Sequence, residues 1–477
     1  MLELALASVE SRLLAEPRST DLRFQQACLL EHTGRLAEAR ALYQALLEID
    51  PSHVATLNNL GNLLLASGER DHARPIFQQA VASHPTHLPS RANLGNLLIK
   101  QGDLAEACEH FRAALLIDPT YRPAHAGLSF ALGDLGDPTA AANHRQLAFA
   151  DRAIVVAAYR GVQPPITILE LVSTTGGNVR TDPYLSDRVF QRILVTTEFF
   201  KPGTPLPQHD LVFNAIGEAD SATAALAGAI AVIAQTAAPV INPPQAVLAT
   251  GRSEISQRLA AIPGVITART VTLPRTQLES PEAASILSAQ GIAFPILLRT
   301  PGFHGGDHFV RAESPSDLPQ VLTQLPGDDL LVMPYLDARG PDGNSRKYRA
   351  MFIDGRIYPL HLAVSKNWKI HYFSADMADS PENRAEDRAF LEDMPTVLGP
   401  IAMSALEQIH TTLALDYAGI DFGLNSQGEL LLFEANATMT VVIPDKDPRW
   451  DYRRPAVETI YKAVWQMLKD RAAQSPA

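Results

Sequence analysis

Gly419-Ile-Asp-Phe-Gly-Leu-Asn-Ser-Gln-Gly-Glu-Leu-Leu-Leu-Phe-Glu-Ala-Asn436 reads as two apolar strands joined by a turn at Asn425-Ser426-Gln427-Gly428. Pairing Leu424 with Glu429 sets Asp421 opposite Leu432. Side chains alternate along a strand, so Asp421, Glu434 and Asn436 share one face. Two carboxylates and a carboxamide are hard oxygen ligands of the type that suits Mg²⁺ beside nucleotide phosphates. A solvated hairpin face is the alternative, and the rest of the chain decides between them.

The 477 residues suffice for two or three domains with sizeable cores. A formal net charge of -12, with no dense basic cluster, argues against a nucleic-acid surface. Cys28 and Cys108 both fall in expected helices, which excludes a disulfide framework and points to a reducing, cytoplasmic setting. The first residues carry Glu3 and Glu10 and no basic region, unlike a signal peptide. The apolar run from Ala222 to Ile241 contains Gln235, Thr236 and Pro239, so a buried helix leading into a strand is expected, not a membrane span.

The first third repeats itself. Gly34, Gly68, Gly102 and Gly136 recur every thirty-four residues, and Pro51, Pro85 and Pro119 keep the same step. Small residues (Ala27, Gly61, Gly95 and Ala39, Ala73, Ala107) precede an aromatic at Tyr43, Phe77 and Phe111. This resembles the tetratricopeptide repeat (TPR), in which small residues let two antiparallel helices close over large ones. Three units match from about Thr20 to Tyr121. A fourth is degraded at Ser129 and Arg145, as expected of a cap, with a helix over 141–159 completing it. Asn62 and Asn96, with Asn59 and Asn93 one turn earlier, take equivalent positions on the expected concave face. Carboxamides there suit an extended peptide backbone, so a peptide or protein partner is expected; a locally bonded or solvated face is the alternative.

Gln163-Pro164-Pro165 breaks the pattern, and apolar runs at Ile166–Val172, Arg192–Thr196, Asp210–Ile216 and Val240–Asn242 then alternate with helical stretches. Thr174–Asn178 and Asn214–Asp220 follow two of these strands, at the carboxyl ends where α/β sheets place ligands, which makes Asn178, Asn214 and Glu218 substrate candidates. Further on, Phe294–Arg299 runs into Thr300-Pro301-Gly302-Phe303-His304-Gly305-Gly306. Backbone N–H groups of such a loop, beside a cation, can cover a polyphosphate. Leu330–Asp337 ends a strand in an acid; strand-edge groups around Met333 and Leu336 are placed to read a base, and Asp337 to accept from ribose. Lys347-Tyr348-Arg349 opens a strand pair, Arg349–Ile353 and Arg356–Pro359, turned at Asp354-Gly355. The polar and aromatic segment Tyr358–Tyr372 offers His361, Lys369 and His371 to a carboxylate or a proton, with an ordinary surface loop as the alternative.

From Ile166 onward this order of parts resembles the ATP-grasp superfamily, including D-alanine–D-alanine ligase and the ribosomal-protein glutamate ligases. The resemblance implies an α + α/β chain: a TPR solenoid over 1–160, a pre-ATP-grasp α/β domain over 164–250, and an ATP-grasp fold over 251–477 with its lid at 251–330 and catalytic part at 331–477. It implies ATP with two Mg²⁺ ions held by Asp421, Glu434 and Asn436. Arg252 and Arg299 map to phosphate-binding positions that are usually Lys in the family; Arg keeps the charge and adds a bidentate fork. Arg349, after Lys347, resembles the Arg aimed at the γ-phosphate and acyl phosphate.

The implied activity is a ligase that activates a carboxylate as an acyl phosphate and couples it to an amine, on small-molecule or peptidyl substrates. An ATP-dependent phosphotransferase and a TPR scaffold with a nucleotide-sensing body are the alternatives. Echoes of protein-kinase motifs at Asp421-Phe422-Gly423 and at His209-Asp210 lie some two hundred residues apart and lack the Arg after His. Scattered Ser and His residues form no nucleophile elbow, which leaves no hydrolase reading.

Overall fold

The computed structural model describes residues 2–301, 308–370, 375–444 and 447–474, excepting the side chains of Arg252 and Ser253. It divides into two compact units, Met1–Arg152 and Ala153–Ala477.

The first unit is helical: α1 (Leu2–Ala15), α2 (Thr20–Thr33), α3 (Leu36–Ile49), α4 (Val54–Ala66), α5 (Arg70–Ser83), α6 (Leu88–Gln101), α7 (Leu104–Ile117), α8 (Arg122–Asp134) and α9 (Pro138–Phe149). The recurrent glycines explain the period. Gly34, Gly68, Gly102 and Gly136 all stand in the left-handed region, with φ of 83°, 82°, 85° and 84°. There a Cβ is penalised and the chain can reverse after each first helix. Between the helices of a pair, a Cβ on Gly61 would lie 2.5 Å from the Phe77 ring and one on Gly95 2.6 Å from Phe111, so the small residues admit the aromatics. Ser129, in the degraded unit, is buried and donates its hydroxyl to the Ala126 carbonyl. The last helix stops at Phe149, ten residues short of the expected Tyr159. The following β-branched residues pair as a strand in the second unit instead.

The second unit holds three sheets. The first comprises β1 (Ile154–Val156), β2 (Ile166–Val172), β3 (Phe190–Thr196), β4 (Leu211–Asn214) and β5 (Val240–Ile241). Their order is β1-β3-β2-β4-β5, parallel except for the edge strand β1. The apolar helix Thr223–Ile233 is buried against it. Among the described residues no helix is long and apolar enough to cross a membrane.

β6 (Val265–Thr267) joins the third sheet. β7 (Val271–Pro274), β8 (Ile296–Arg299), β9 (Phe309–Ala312) and β10 (Asp329–Pro334) form the antiparallel second sheet, ordered β7-β10-β8-β9. The third sheet runs β12-β11-β13-β14-β6, with β11 (Ser345–Ile353), β12 (Arg356–Ser365), β13 (Tyr417–Leu424) and β14 (Leu430–Asn436) antiparallel and β6 parallel to β14. Ala350, Phe352, Ile420 and Phe422 pack with the helix Met394–Leu413. Met351, Ile353 and Tyr417 pack with the helix Arg454–Ala472. Cover on both faces is why these strands read as nearly continuous apolar runs.

The hairpin register differs from the sequence expectation in an instructive way. Leu424 pairs with Leu430, one residue beyond Glu429, and a bulge between Asp421 and Phe422 leaves Phe433 as the extra residue. The two one-residue shifts add to two, which restores the parity of the face. Asp421 therefore lies directly opposite Glu434, not Leu432, and still shares its face with Asn436.

Candidate functional site

A row of ionisable residues crosses the third sheet. His361 on β12 is in register with Arg349 on β11, Arg349 with Asp421 on β13, and Asp421 with Glu434 on β14. Register irregularities flank the row beside Arg349 and beside Asp421, as is common where a sheet re-aims side chains. Arg349 grips Asp421 with both arms, Nε to Oδ1 at 2.5 Å and a terminal nitrogen to Oδ2 at 2.7 Å. Lys347 Nζ adds a contact at 3.2 Å. Burial pushes the Asp421 carboxyl up, but Arg349 and Lys347 outweigh it and hold the group well below the usual carboxylate range. Buried His361 is driven well below its ordinary value, first by desolvation and then by the Arg349 and Arg453 charges, so its imidazole is neutral at pH 7. His361 thus belongs to a buried strand, not a loop. A bulge opposite Arg349 lets β12 continue through Pro359 to Ser365.

This row opens into a cavity of about 630 Å³ between the three sheets, lined by Lys347, Arg349, Asp421, Glu434 and Asn436 together with Arg299, Met333, Leu336, Lys369 and Glu218. Tyr335 and Trp368, which the sequence offers only as members of longer stretches, and Phe309, which no motif marks, line the same cavity. Trp368 meets Phe309 at 5.6 Å and Tyr335 at 6.2 Å between ring centroids, both edge-on. Arg311 lies 3.8 Å over the Tyr335 ring, and Arg299 sits 5.9 Å from the Phe309 centroid. Flat rings, Leu297 and Met333 thus share the cavity lining with charged side chains.

Other candidates sit elsewhere or are bonded locally. Asp337 turns to its neighbour Arg339, with three side-chain contacts of 2.5–3.0 Å, and is absent from the cavity wall. Asn178 clamps its own loop, accepting from Ser173 N and donating to Ser173 O, both at 2.8 Å. Asn214 is fully buried, donating to Asn242 O and accepting from Ile216 N. Short polar side chains at strand ends commonly bond to nearby backbone in this way. In the helical unit Asn59 donates to the Tyr43 hydroxyl at 3.3 Å and Asn93 to Asn58 at 2.9 Å, whereas Asn62 and Asn96 are exposed. Gly302, His304, Gly305, Gly306 and His371 lie outside the described residues, and Arg252 is described only as the first residue of the helix Arg252–Leu259.

The oxygen donors fit Mg²⁺ in part. Like charges directly opposite on a sheet repel, so the Asp421–Glu434 pair favours a cation between or beside them. Among the described residues no three His, Cys, Asp or Glu side chains form a metal cage by themselves. Asn436 is already engaged: its oxygen accepts from the N–H and hydroxyl of Thr438, and its amide donates to Glu434, each at 2.9 Å. Asn436 thus fixes Glu434.

Models of the tetratricopeptide repeat match residues 2–54, 30–97 and 64–128. No curated protein matches the chain. Among solved structures, a MamA fragment from Desulfovibrio magneticus RS-1 is 22% identical over 31% of this chain and 83% of its own, with a TM-score of 0.29. Another MamA crystal structure is 18% identical over 31% of this chain and 86% of its own, also at 0.29. Scores this low carry no argument. The N-terminal region is a tetratricopeptide-repeat array, a type of scaffold that generally binds peptides or proteins, and a mixed α/β region with several sheets follows it.

Proposed function

We propose that the second unit is an ATP- and Mg²⁺-dependent carboxylate–amine ligase of the ATP-grasp kind, and that the repeats recruit its peptide or protein partner. The observation that carries this reading is the register row Arg349–Asp421–Glu434, opening with Lys347 and Arg299 into one cavity that aromatic and apolar side chains also line. A nucleotide offers both kinds of partner to such a lining, an aromatic base and a polyanion.

In this reading the base lies against Tyr335, Met333 and Leu297, and the phosphates reach Arg299 and Lys347. Asp421 and Glu434 would hold Mg²⁺, which would screen phosphate charge. Arg349 binds the transferring phosphoryl group. A substrate carboxylate oxygen attacks the γ-phosphorus, the bond to the β-phosphate oxygen breaks, and ADP leaves. An amine then attacks the acyl carbon and phosphate departs with the C–O bond, the amine's proton passing to solvent. The protein's part is positioning and charge neutralisation.

The test is an ADP-release screen with Mg-ATP against amino acids, dipeptides and short peptides, with hydroxylamine present to trap acyl phosphate. Hydroxamate together with amide product supports the ligase. A stable phosphorylated product points to the phosphotransferase. Mg-ATP binding without ADP release from any acid points to a nucleotide-sensing scaffold.

A further inference from the structure

A second buried ion pair meets the ionisable row from the open edge of the third sheet. β12 is an edge strand, and the extra residue of its bulge is Leu360, which stands between Pro359, paired with Ala350, and His361, paired with Arg349. Arg453, the last residue of the turn Pro448–Arg453, donates to the Leu360 carbonyl at 3.3 Å. Asp387, in the helix Pro381–Glu392, accepts from the Leu362 N–H at 2.7 Å. The two side chains, 7% and 0% exposed, meet at 3.3 Å, and the Tyr452 hydroxyl donates to Asp387 at 2.6 Å. One ion pair thus grips the backbone on both sides of His361.

Stability alone does not account for this pair. Burial pushes the Asp387 carboxyl up to about 7, although Tyr452 and the Leu362 N–H pull it down, so the charge is held against a desolvation cost. Apolar side chains of similar volume in place of a buried ion pair often leave a protein as stable or more so. They cannot bond to the carbonyl and N–H of a strand edge, which then stay unsatisfied. Farther along the same edge, Val364 is met by the Met377 sulfur and the Asp376 N–H, so charge is not required merely to cover β12. What is particular to the bulge is register. A strand that slips by one residue turns every side chain to its other face, and here a slip would take His361 away from Arg349.

We propose that Asp387 and Arg453 are positioning residues for the cavity: by fixing the β12 bulge they hold His361 opposite Arg349, and so keep Arg349 aimed at Asp421. Neither residue lines the cavity, and both act through the backbone of β12. Use of the row for phosphate and metal rests on the ligase reading; its positioning by this pair does not.

The test reads Arg349 directly and needs no turnover. Its Nε–H, bonded to Asp421, is followed by NMR in the full chain carrying isotopically labelled arginine, and is assigned by its loss in Arg349→Met. Asp387→Asn keeps an oxygen for the Leu362 N–H but drops the charge, Arg453→Met drops charge and donor together, and Arg453→Lys keeps both. The Arg349 Nε–H should exchange with solvent roughly tenfold faster, or more, in Asp387→Asn and Arg453→Met, with Arg453→Lys in between. Deuterium uptake over β13 and β14 should stay within about twofold of wild type. If Arg453→Met fails to fold, Asp387→Asn and Arg453→Lys carry the comparison. Unchanged exchange at Arg349 while β12 loses protection makes the pair a cover for the edge alone and overturns the proposal. Faster exchange spread evenly over the sheet overturns it too, because that is loss of stability and nothing more. Mg-ATP titrated into the same samples separates the two claims. Wild type without Mg-ATP affinity removes the ligase reading and leaves this inference standing, whereas Mg-ATP binding with Arg349 unmoved in every variant does the reverse.

Discussion

Arg349→Met removes the guanidinium from a buried pair and keeps most of the side chain's volume. Arg349 and Asp421 side chains are 21% and 6% exposed, and two charge-assisted hydrogen bonds join them. Each such bond contributes roughly 1.5–3 kcal/mol, and stripping one partner from a buried pair costs roughly 3–5 kcal/mol. Lys347 stays at 3.2 Å and partly compensates, so the expected loss is about 3 kcal/mol, at the low end. Trp368, Trp450 and Trp465 are the chain's three tryptophans and all lie in the second unit, so urea unfolding followed by tryptophan fluorescence reports that unit alone. The pH dependence fixes the sign. Asp421 is depressed in the folded protein, so its contribution is present above the unfolded value of about 4 and is lost as pH falls through the lower folded value. Without Arg349 burial dominates, the folded value rises, and the ionised carboxylate opposes folding at neutral pH. The gap between wild type and variant should therefore be widest near pH 7 and narrow towards pH 4. Asp421→Asn and the double variant complete a cycle, in which the coupling should exceed about 1 kcal/mol. A variant within about 0.5 kcal/mol of wild type at pH 7, or a gap that widens in acid, refutes the reasoning.

Glu434→Ala or Asn436→Ala should abolish ATP turnover while the urea transition stays in place; losing one such electrostatic contact costs roughly 3 kcal/mol or more in the transition state, and full turnover by either would remove the assignment. Calorimetry should find Mg-ATP affinity partly kept in Arg299→Lys and reduced about ten- to a hundredfold in Arg299→Ala, because Lys retains charge without the fork. In the repeats, Gly61→Ala drives a Cβ to 2.5 Å from the Phe77 ring and should destabilise the helical unit by about 1–3 kcal/mol, read by far-ultraviolet circular dichroism. An unchanged helical melt would mean that Phe77 moves aside freely.

The helical array was legible because its period rests on backbone: four glycines with φ near +83° recur where only glycine turns cheaply. The hairpin's face was legible but its register was not. Turn chemistry located the reversal only to within a residue, and nothing in Leu430-Leu431-Leu432-Phe433 marks the bulge that returns Asp421 to the right side. Pro359 hides the length of β12, since a proline reads as a strand end unless a bulge absorbs it, and His361 therefore reads as a loop residue. Asn178, Asn214 and Asp337 stand out in the sequence only by position at strand ends. Each is instead tied by hydrogen bonds to local or cross-strand groups that sequence does not reveal. Glu218 stands on the same positional ground and lines the cavity, where Gly177 and Gly217 let its loop pack closely.

The most direct measurement is a calorimetric titration of Mg-ATP into the full chain, beside Asp421→Asn and a Glu434→Gln variant, each checked for an unchanged unfolding transition. The account predicts saturable binding by wild type with one nucleotide per chain, and affinity at least tenfold weaker in both variants, because the row across the sheet is where metal and phosphate charge is met. Nucleotide binding that ignores both substitutions, or no binding by wild type in the presence of Mg²⁺, contradicts it.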